Sequence, residues 1–268
     1  MTTTPPTIEP VILPALHGWL WVLHGFSLFR AYAALWLLLL FFYWIALALA
    51  GVVPLVGPML AMCLVPGISA GLMVACRAAQ QGQPPSLRHI FEPFAHNRQA
   101  QFRLGLVYLG GFALALVASA LFDGGLFLKA WLVGGIDARQ MDTLRPGILA
   151  FFGLLSPVIL AFWFAPALVH WKDMAPAKAL FFSVFAGLRN WRAFLIYSLA
   201  WMFFILVVPA LMAIALILVL SADIRGATVA SFIIMPYLFA TMAALVCSYY
   251  SSYAAVFPEP PPPPAEAA

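Results

Sequence analysis

Six long apolar runs alternate with shorter polar segments along the 268-residue chain. They occupy, approximately, residues 31–53, 59–76, 104–122, 147–171, 193–220 and 227–256. About 20 apolar residues are needed for a helix to cross ~30 Å of hydrocarbon, so the runs predict six transmembrane helices. Composition agrees, because 65% of the residues are hydrophobic and only 8% are charged. The surface of a soluble domain needs more charge than this, so we expect a polytopic membrane protein.

Three of the polar segments carry apolar residues at helical spacing. Their apolar positions are Leu16, Trp19, Leu20, Leu23 and Phe26; Leu87, Ile90, Phe91 and Phe94; and Leu180, Phe181, Val184, Phe185 and Leu188. Such a stripe with polar flanks predicts a helix that lies in the membrane interface. We expect Asp173 to cap the third of these helices. Residues 123–145 are predicted as a loop.

The interfacial helices recur with the spans that follow them. Residues 26–35 and 185–194 share the pattern F-x-x-[FL]-R-x-[YW]-x-A-[LF], and a looser copy covers residues 94–102. The predicted fold is therefore an all-α polytopic membrane helical bundle. It has six transmembrane helices and three amphipathic interfacial helices, arranged as a threefold helix-then-hairpin repeat. We expect one membrane domain over 15–256, a disordered lead over 1–14 and a disordered proline-rich tail over 257–268.

Basic residues predict the orientation. With the N-terminus in the cytoplasm, nine Lys and Arg residues lie on the cytoplasmic side and four on the other. Those four are Lys129, Arg139, Arg145 and Arg225, and Asp123, Asp137, Asp142 and Asp223 lie on the same side. Cytoplasmic loops are enriched in Lys and Arg, so both termini are predicted to be cytoplasmic.

Six arginines lie where the spans begin or end: Arg30, Arg77, Arg98, Arg103, Arg189 and Arg192. A guanidinium group binds phosphate through two donors, so these residues are candidate contacts to phospholipid headgroups. The plainer alternative is a topology signal with non-specific attraction to anionic lipid. We expect membrane phospholipids as partners, with other membrane proteins as a further possibility, and no nucleic acid.

Histidines and cysteines offer little support for a metal site or cofactor. His89, Glu92 and His96 share one helical face, but Pro93 interrupts the helix between them. His17 and His24 are two turns apart, which is too far for one ion. Cys63, Cys76 and Cys247 match neither a metal-site spacing nor a disulfide framework. We therefore predict no metal and no cofactor.

Prolines recur inside the even-numbered spans at Pro66, Pro166 and Pro236. Helices broken at corresponding places are typical of transporters, whereas ordinary kinks are the simpler interpretation. No Asp, Glu, Lys or Arg lies in the middle of a span, although ion-coupled carriers usually keep one. The polar cluster at residues 248–253 lies near the end of the last span, where we expect helix packing and interface contacts.

Residues 164–197, with sequence FAPALVHWKDMAPAKALFFSVFAGLRNWRAFLIY, resemble a proteobacterial family of uncharacterised six-span inner-membrane proteins. Trp21, Gly25, Phe29 and Arg30, and the segment 54–58, share that resemblance. More distantly, the chain is similar to the membrane domain fused to some glycerophosphodiester phosphodiesterases. The catalytic half of those fusions has no counterpart here, so the resemblance implies location and fold rather than activity.

Enzyme signatures are missing from the sequence, which has no HExxH, Walker loop or GxSxG. We expect a non-enzymatic accessory protein of the envelope or a lipid-contacting scaffold in the bacterial inner membrane. The alternative is a transporter or permease for a small or lipid-like solute. An enzyme acting on phospholipid is a third hypothesis, which carboxylates or histidines converging at one membrane edge would favour.

Overall fold

The structure is a computed structural model that describes residues 9–53, 56–135, 140–220 and 224–258. Every regular element in these ranges is a helix. They are α1 (His17–Ala31), α2 (Ala33–Gly51), α3 (Val56–Gln80), α4 (Leu87–His96), α5 (Arg98–Asp123), α6 (Leu126–Val133), α7 (Met141–Lys172), α8 (Pro176–Arg189), α9 (Trp191–Met202), a π-helical segment (Phe203–Val207), α10 (Val208–Leu220) and α11 (Ile224–Val256).

Six helices among the described residues are long and apolar enough to cross a membrane. They are α2, α3, α5, α7, α11 and the continuous run from α9 through the π-helical segment to α10. The prediction of an all-α polytopic fold with six spans is confirmed. The helices α3, α5 and α7 extend a few residues beyond the predicted apolar runs, because polar residues continue their first or last turns.

Each predicted interfacial helix is separated from the next span by one residue. We call α1, α4 and α8 the surface helices, and Tyr32, Asn97 and Asn190 the joint residues. The joint residues have similar backbone angles, with φ/ψ of −141°/44°, −128°/44° and −104°/19°. The helix-then-hairpin repeat is therefore visible in the backbone as well as in the sequence.

The chain divides into two compact units. Unit 1 comprises Met1–Phe41, Leu72–Ser86 and Ala186–Ala268, and unit 2 comprises Phe42–Gly71 and Leu87–Phe185. The core of unit 2 forms where α5 packs against α7. Phe112, Leu116, Phe151 and Leu155 are buried there, and Phe127 packs against them. Because lipid tails are as apolar as these side chains, close van der Waals packing rather than the hydrophobic effect holds α5 against α7.

The prediction that residues 123–145 form a loop is wrong for α6. The carboxylate of Asp123 accepts hydrogen bonds from the backbone N–H groups of Gly125, at 2.9 Å, and Phe127, at 2.8 Å. These bonds satisfy donors at the start of α6, while Gly124 and Gly125 turn the chain at φ of 67° and 86°. The side chains of Phe127 and Trp131 then contact the ring of Phe151.

In unit 1, α1 packs against α9 and α11. Its glycines allow this close approach, because a Cβ at Gly18 would collide with the carbonyl of Ala193. A Cβ at Gly25 would likewise collide with Ser248. Trp21, on the same face as both glycines, is buried with its ring 5.4 Å from that of Phe194.

Part of the predicted N-terminal lead is ordered. The N–H of Val11 donates to the carbonyl of Val256 at 2.9 Å, and the N–H of Leu13 donates to Oδ1 of Asn190 at 2.8 Å. Asn190 and α11 thus supply hydrogen-bond partners for the backbone of Leu13 and Val11, within the predicted lead. Phe257, placed in the predicted tail, is also buried, against Tyr253.

Several predicted features lie outside the described residues. They are residues 1–8 of the lead, residues 259–268 of the tail, Pro54 in the first hairpin turn, and Asp137, Arg139 and Asp223 on the side predicted to face away from the cytoplasm.

Candidate functional site

The surface helices α1 and α8 each have two opposite apolar faces. On α1, Gly18, Trp21, Val22 and Gly25 are buried, whereas Leu16 is 65% exposed and Leu23 45%. On α8, Ala179, Ser183 and Ala186 are buried, whereas Phe181 is 65% exposed and Leu188 60%. The sequence pattern identified the exposed stripe of large residues. The opposite, buried face was not predicted, because its members on α8 are small and only weakly hydrophobic, and on α1 it joins two glycines to Trp21 and Val22.

The six candidate arginines lie at helix ends, as the sequence indicated. Arg30, Arg77 and Arg189 are in the last turns of α1, α3 and α8. Arg192 and Arg98 are in the first turns of α9 and α5, and Arg103 is in the second turn of α5. All are exposed except Arg77, which is half-buried. Arg30, Arg77, Arg189 and Arg192 belong to unit 1, and Arg98 and Arg103 to unit 2.

The arginine does not keep one place relative to the joint residue. Arg30 precedes Tyr32 by two positions, Arg189 directly precedes Asn190, and Arg98 directly follows Asn97. The joint residues, which sequence reasoning missed, instead fix each joint by hydrogen bonds to distant segments. The hydroxyl of Tyr32 donates to the carbonyl of Gly82 at 2.8 Å.

The two asparagines make more bonds. Nδ2 of Asn97 donates to the carbonyl of Val169, at 3.1 Å, and to the carboxylate of Asp173, at 2.8 Å. Nδ2 of Asn190 donates to the carbonyls of Val11 and Ala186, each at 3.0 Å. The predicted cap of α8, Asp173, is thus at the end of α7 in a left-handed conformation, with φ of 48°. The only sequence signal for such a joint is the repeated position of the joint residue between a surface helix and a span.

Two of the three metal-competent side chains on α4 meet a histidine that the sequence analysis did not consider. His170, near the end of α7, is buried, with Nε2 3.5 Å from Oε1 of Glu92. Its ring centroid is 6.1 Å from that of His96. Within the described ranges, no group of three or more His, Cys, Asp or Glu side chains is placed to hold a metal ion. The arrangement does bring a carboxylate and two imidazoles to one end of α7.

Polar side chains supply hydrogen-bond partners for backbone groups where the long helices are irregular. In unit 2, Oγ of Ser183 accepts from the N–H of Phe164 and donates to the carbonyl of Leu160, both at 2.9 Å. The hydroxyl thus lies between two groups that normally bond each other in a helix. Two residues farther along α7, the carbonyl of Pro166 accepts from the buried Nε2 of Gln101 at 3.0 Å.

Among the described residues, the π-helical segment is in the fifth span rather than in an even-numbered one. The segment Phe203–Val207 is π-helical, and Pro209 follows it without an N–H. The carbonyl of Phe204 accepts from the hydroxyl of Tyr237 at 2.8 Å instead. Helices α3, α7 and α11 continue through Pro66, Pro166 and Pro236. The predicted recurrence therefore marks prolines within continuous helices, as the simpler interpretation expected.

Two of the cavities among the described residues of unit 1 differ in character. A groove of about 830 Å³ is apolar, and α2 and α11 line it. A second cavity of about 340 Å³ has a mixed lining, in which Leu28, Ala254 and Ala255 accompany the polar residues His24, Ser27, Gln80, Tyr250 and Ser251. Two of these belong to the predicted polar cluster at residues 248–253. In the same cluster, Ser248 is 2.8 Å from the hydroxyl of Tyr197 and packs beside Gly25, as predicted for helix packing.

Comparison with known proteins identifies the family to which the chain belongs. Over 259 residues it is 37% identical to a protein of Burkholderia thailandensis named a probable inner membrane protein, and the match covers 93% of this chain and 94% of that relative. The chain belongs to this family of inner-membrane proteins. No protein-family model matches the chain, and no solved structure matches it.

Membership of this family and the six apolar helices together identify the chain as an integral, multi-pass inner-membrane protein that contacts membrane lipid. The expected resemblance to a proteobacterial inner-membrane family is confirmed. The distant similarity to the membrane domain of glycerophosphodiester phosphodiesterases, and the cytoplasmic placement of both termini, stay predictions.

Proposed function

We propose that this protein is a non-enzymatic scaffold of the inner membrane, which holds phospholipid against its surface helices. The two-faced form of α1 and α8 is the observation that carries this proposal. Their buried faces pack on protein, and the opposite faces present Leu16, Leu23, Phe181 and Leu188 outward. In water, exposing these side chains would forgo roughly 1.5–3 kcal/mol each, whereas acyl chains accommodate them at no such cost.

Arginines at the helix ends supply the polar part of the proposed contact with lipid. A guanidinium group at the joint reaches a lipid phosphate while its methylene groups stay in the apolar layer. Each basic residue near an anionic membrane surface contributes about 1 kcal/mol of attraction. The exposed Arg30, Arg189 and Arg192, next to two surface helices, would hold anionic headgroups at the joints of unit 1.

A double substitution tests this proposal. Arg30→Lys with Arg189→Lys keeps the charge and the topology signal but removes the planar, bidentate donor. We expect normal insertion and a lower melting temperature in nanodiscs of phosphatidylglycerol, with little change in nanodiscs of phosphatidylcholine. A loss of 1 kcal/mol corresponds to about 2–4 °C for a protein of this size.

Arg145→Lys serves as the matched control, because Arg145 is exposed and 3.5 Å from its own carboxylate partner, Asp142. This control should melt like the parent in both lipids. If the double variant also melts like the parent in both lipids, the joint arginines act only as topology signals. The proposed binding of anionic headgroups by these arginines would then be wrong.

A transporter for a lipid-like solute is the second candidate, and the apolar groove between α2 and α11 favours it. Transport requires movement of that solute between leaflets. Reconstituted vesicles carrying fluorescent phospholipid in one leaflet would show protein-dependent exchange if this candidate is right.

The contact of Glu92 with His170, beside His96, favours the third candidate, an enzyme acting on phospholipid. A carboxylate and an imidazole are common acid–base groups. Incubation of purified protein with mixed phospholipids should leave them intact under our proposal. Breakdown that His170→Asn abolishes would establish the enzymatic alternative.

A further inference from the structure

Two of the three cysteines meet inside unit 1, although their spacing in the sequence gives no sign of it. Cys76 lies near the end of α3 and Cys247 in the second half of α11, and both are thiols that are 0% exposed. The two side chains are in hydrogen-bond contact with each other. Sγ of Cys76 also lies 3.9 Å from the carbonyl oxygen of Val246, the residue next to Cys247. The structure thus brings together two groups that the sequence keeps far apart.

The surroundings of the pair favour a close approach of the two helices. Ala79 on α3 and Ala243 on α11 are buried, each within about one turn of a cysteine on its own helix. Small residues at such spacing let helix backbones come close together. Toward the helix ends, the hydroxyl of Tyr250 donates to Oε1 of Gln80 at 2.9 Å and holds α3 and α11 at a second level. Close backbones and facing sulfurs are what a disulfide requires.

The cavity of about 340 Å³ comes near both thiols. Its lining includes Gln80 on α3 and Ser251 on α11, and each of these residues lies four positions after a cysteine. Four residues of helix correspond to a rise of about 6 Å. Neither cysteine lines the cavity, so bulky thiol reagents do not reach the pair in the folded protein. Hydrogen peroxide is uncharged and only slightly larger than water, and the cavity accommodates it.

We propose that Cys76 and Cys247 are a peroxide-sensitive thiol pair that closes to a disulfide and cross-links α3 to α11. One sulfur, as its thiolate, attacks an oxygen of hydrogen peroxide; the O–O bond breaks, and a sulfenic acid and one water form. The second sulfur attacks the sulfenic sulfur, the S–O bond breaks, and a second water leaves. The two sulfurs lose two electrons in total, one peroxide becomes two waters, and the thiol protons end on those waters.

This proposal goes beyond the contact with lipid and does not depend on it. Cys63 provides a control within the same chain, because it is also a buried thiol. It lies about 20 Å from Cys76 along α3, which is too far for a disulfide. A general sensitivity of buried thiols would oxidise Cys63 as well, whereas the proposed reaction needs two sulfurs in contact.

The test treats the full chain in phospholipid nanodiscs with hydrogen peroxide while the protein stays folded. The protein is then denatured, alkylated with N-ethylmaleimide and weighed by mass spectrometry. The parent should lose two hydrogens and carry one maleimide instead of three, and dithiothreitol should restore all three. Cys63→Ala should lose the same two hydrogens and carry no maleimide. Cys76→Ala and Cys247→Ala should form no intramolecular disulfide, because each lacks one partner.

Peptide mapping and melting complete the test. The cross-linked peptide should join Cys76 to Cys247. The disulfide should raise the melting temperature of the parent by roughly 5–15 °C, and dithiothreitol should reverse the rise. Three maleimides on the peroxide-treated parent, or a disulfide that includes Cys63, would overturn the proposal. An unchanged melting temperature after the link has formed would contradict the cross-linking of two packed helices.

Discussion

Asn190 is the joint residue whose loss has the most direct structural consequence. Its side chain is buried, accepts from the N–H of Leu13, and donates to the carbonyls of Val11 and Ala186. Asn190→Ala removes all these partners and leaves Val11 and Leu13 with unsatisfied backbone groups. At about 0.5–1.5 kcal/mol for each hydrogen bond, the whole change should destabilise the protein by roughly 2–4 kcal/mol.

Hydrogen exchange localises the effect. The two bonds to residues 9–14 account for about 1–3 kcal/mol of the loss, so the Leu13 amide should exchange roughly ten- to a hundredfold faster. Asn190→Asp, which keeps the acceptor for Leu13 but loses the donors, should give a smaller increase. Arg189→Ala, at the exposed neighbouring position, should leave this exchange rate unchanged. Parental protection of Leu13 in Asn190→Ala would show that the joint does not hold the N-terminal segment.

Three further predictions follow from the helix contacts and the charge pattern. Tyr237→Phe should destabilise the protein by about 1–3 kcal/mol, because Pro209 has no N–H to replace the lost donor to the carbonyl of Phe204. Ser183→Ala should cost less, because the helix hydrogen bond from Phe164 to Leu160 can re-form. Urea unfolding in detergent measures both free energies. Gly18→Ala should lower the melting temperature, and Gly110→Ala, where a Cβ would meet open space, should not. A reporter fused at Pro260 should fluoresce as green fluorescent protein and lack activity as alkaline phosphatase.

Each of these predictions has a result that contradicts it. Equal stability of Tyr237→Phe and Ser183→Ala would mean that Phe204 finds another donor. Equal melting of the two glycine variants would mean that α1 can move away from α9. Strong phosphatase activity at Pro260 would reverse the predicted topology.

The spans and surface helices could be predicted from sequence because each depends on the spacing of large apolar residues within one segment. The exposed stripe of Phe181, Phe185 and Leu188 is visible in the local pattern. The opposite face is not, because Ala179 is small and Ser183 becomes informative only when its hydroxyl meets Phe164 and Leu160 of α7. Helix α6 was missed for a related reason, since its start depends on the carboxylate of Asp123 and two glycines.

The polar contacts could not be predicted, because their partners are far apart in sequence. Leu13 and Asn190 are separated by 177 positions, and Tyr250 and Gln80 by 170. His170 lies at the end of an apolar run, where nothing in the local pattern distinguishes it from a packing residue. The candidate arginines lie in or near the end turns of helices, but their relation to the joints differs from one copy to the next. Only the packed chain shows that Tyr32 and the two asparagines fix the joints.

The most direct test of the account measures what covers the outer faces of α1 and α8. Nitroxide labels placed singly at Leu16, Leu23, Phe181 and Leu188 would report their surroundings by electron paramagnetic resonance, with Cys63, Cys76 and Cys247, all buried, replaced beforehand. Labels in lipid collide often with oxygen and seldom with a water-soluble nickel chelate. The account predicts this behaviour at all four positions in phospholipid bilayers. Frequent collision with the nickel chelate at Phe181 and Leu188 would place α8 in water and contradict the proposed lipid-contacting function.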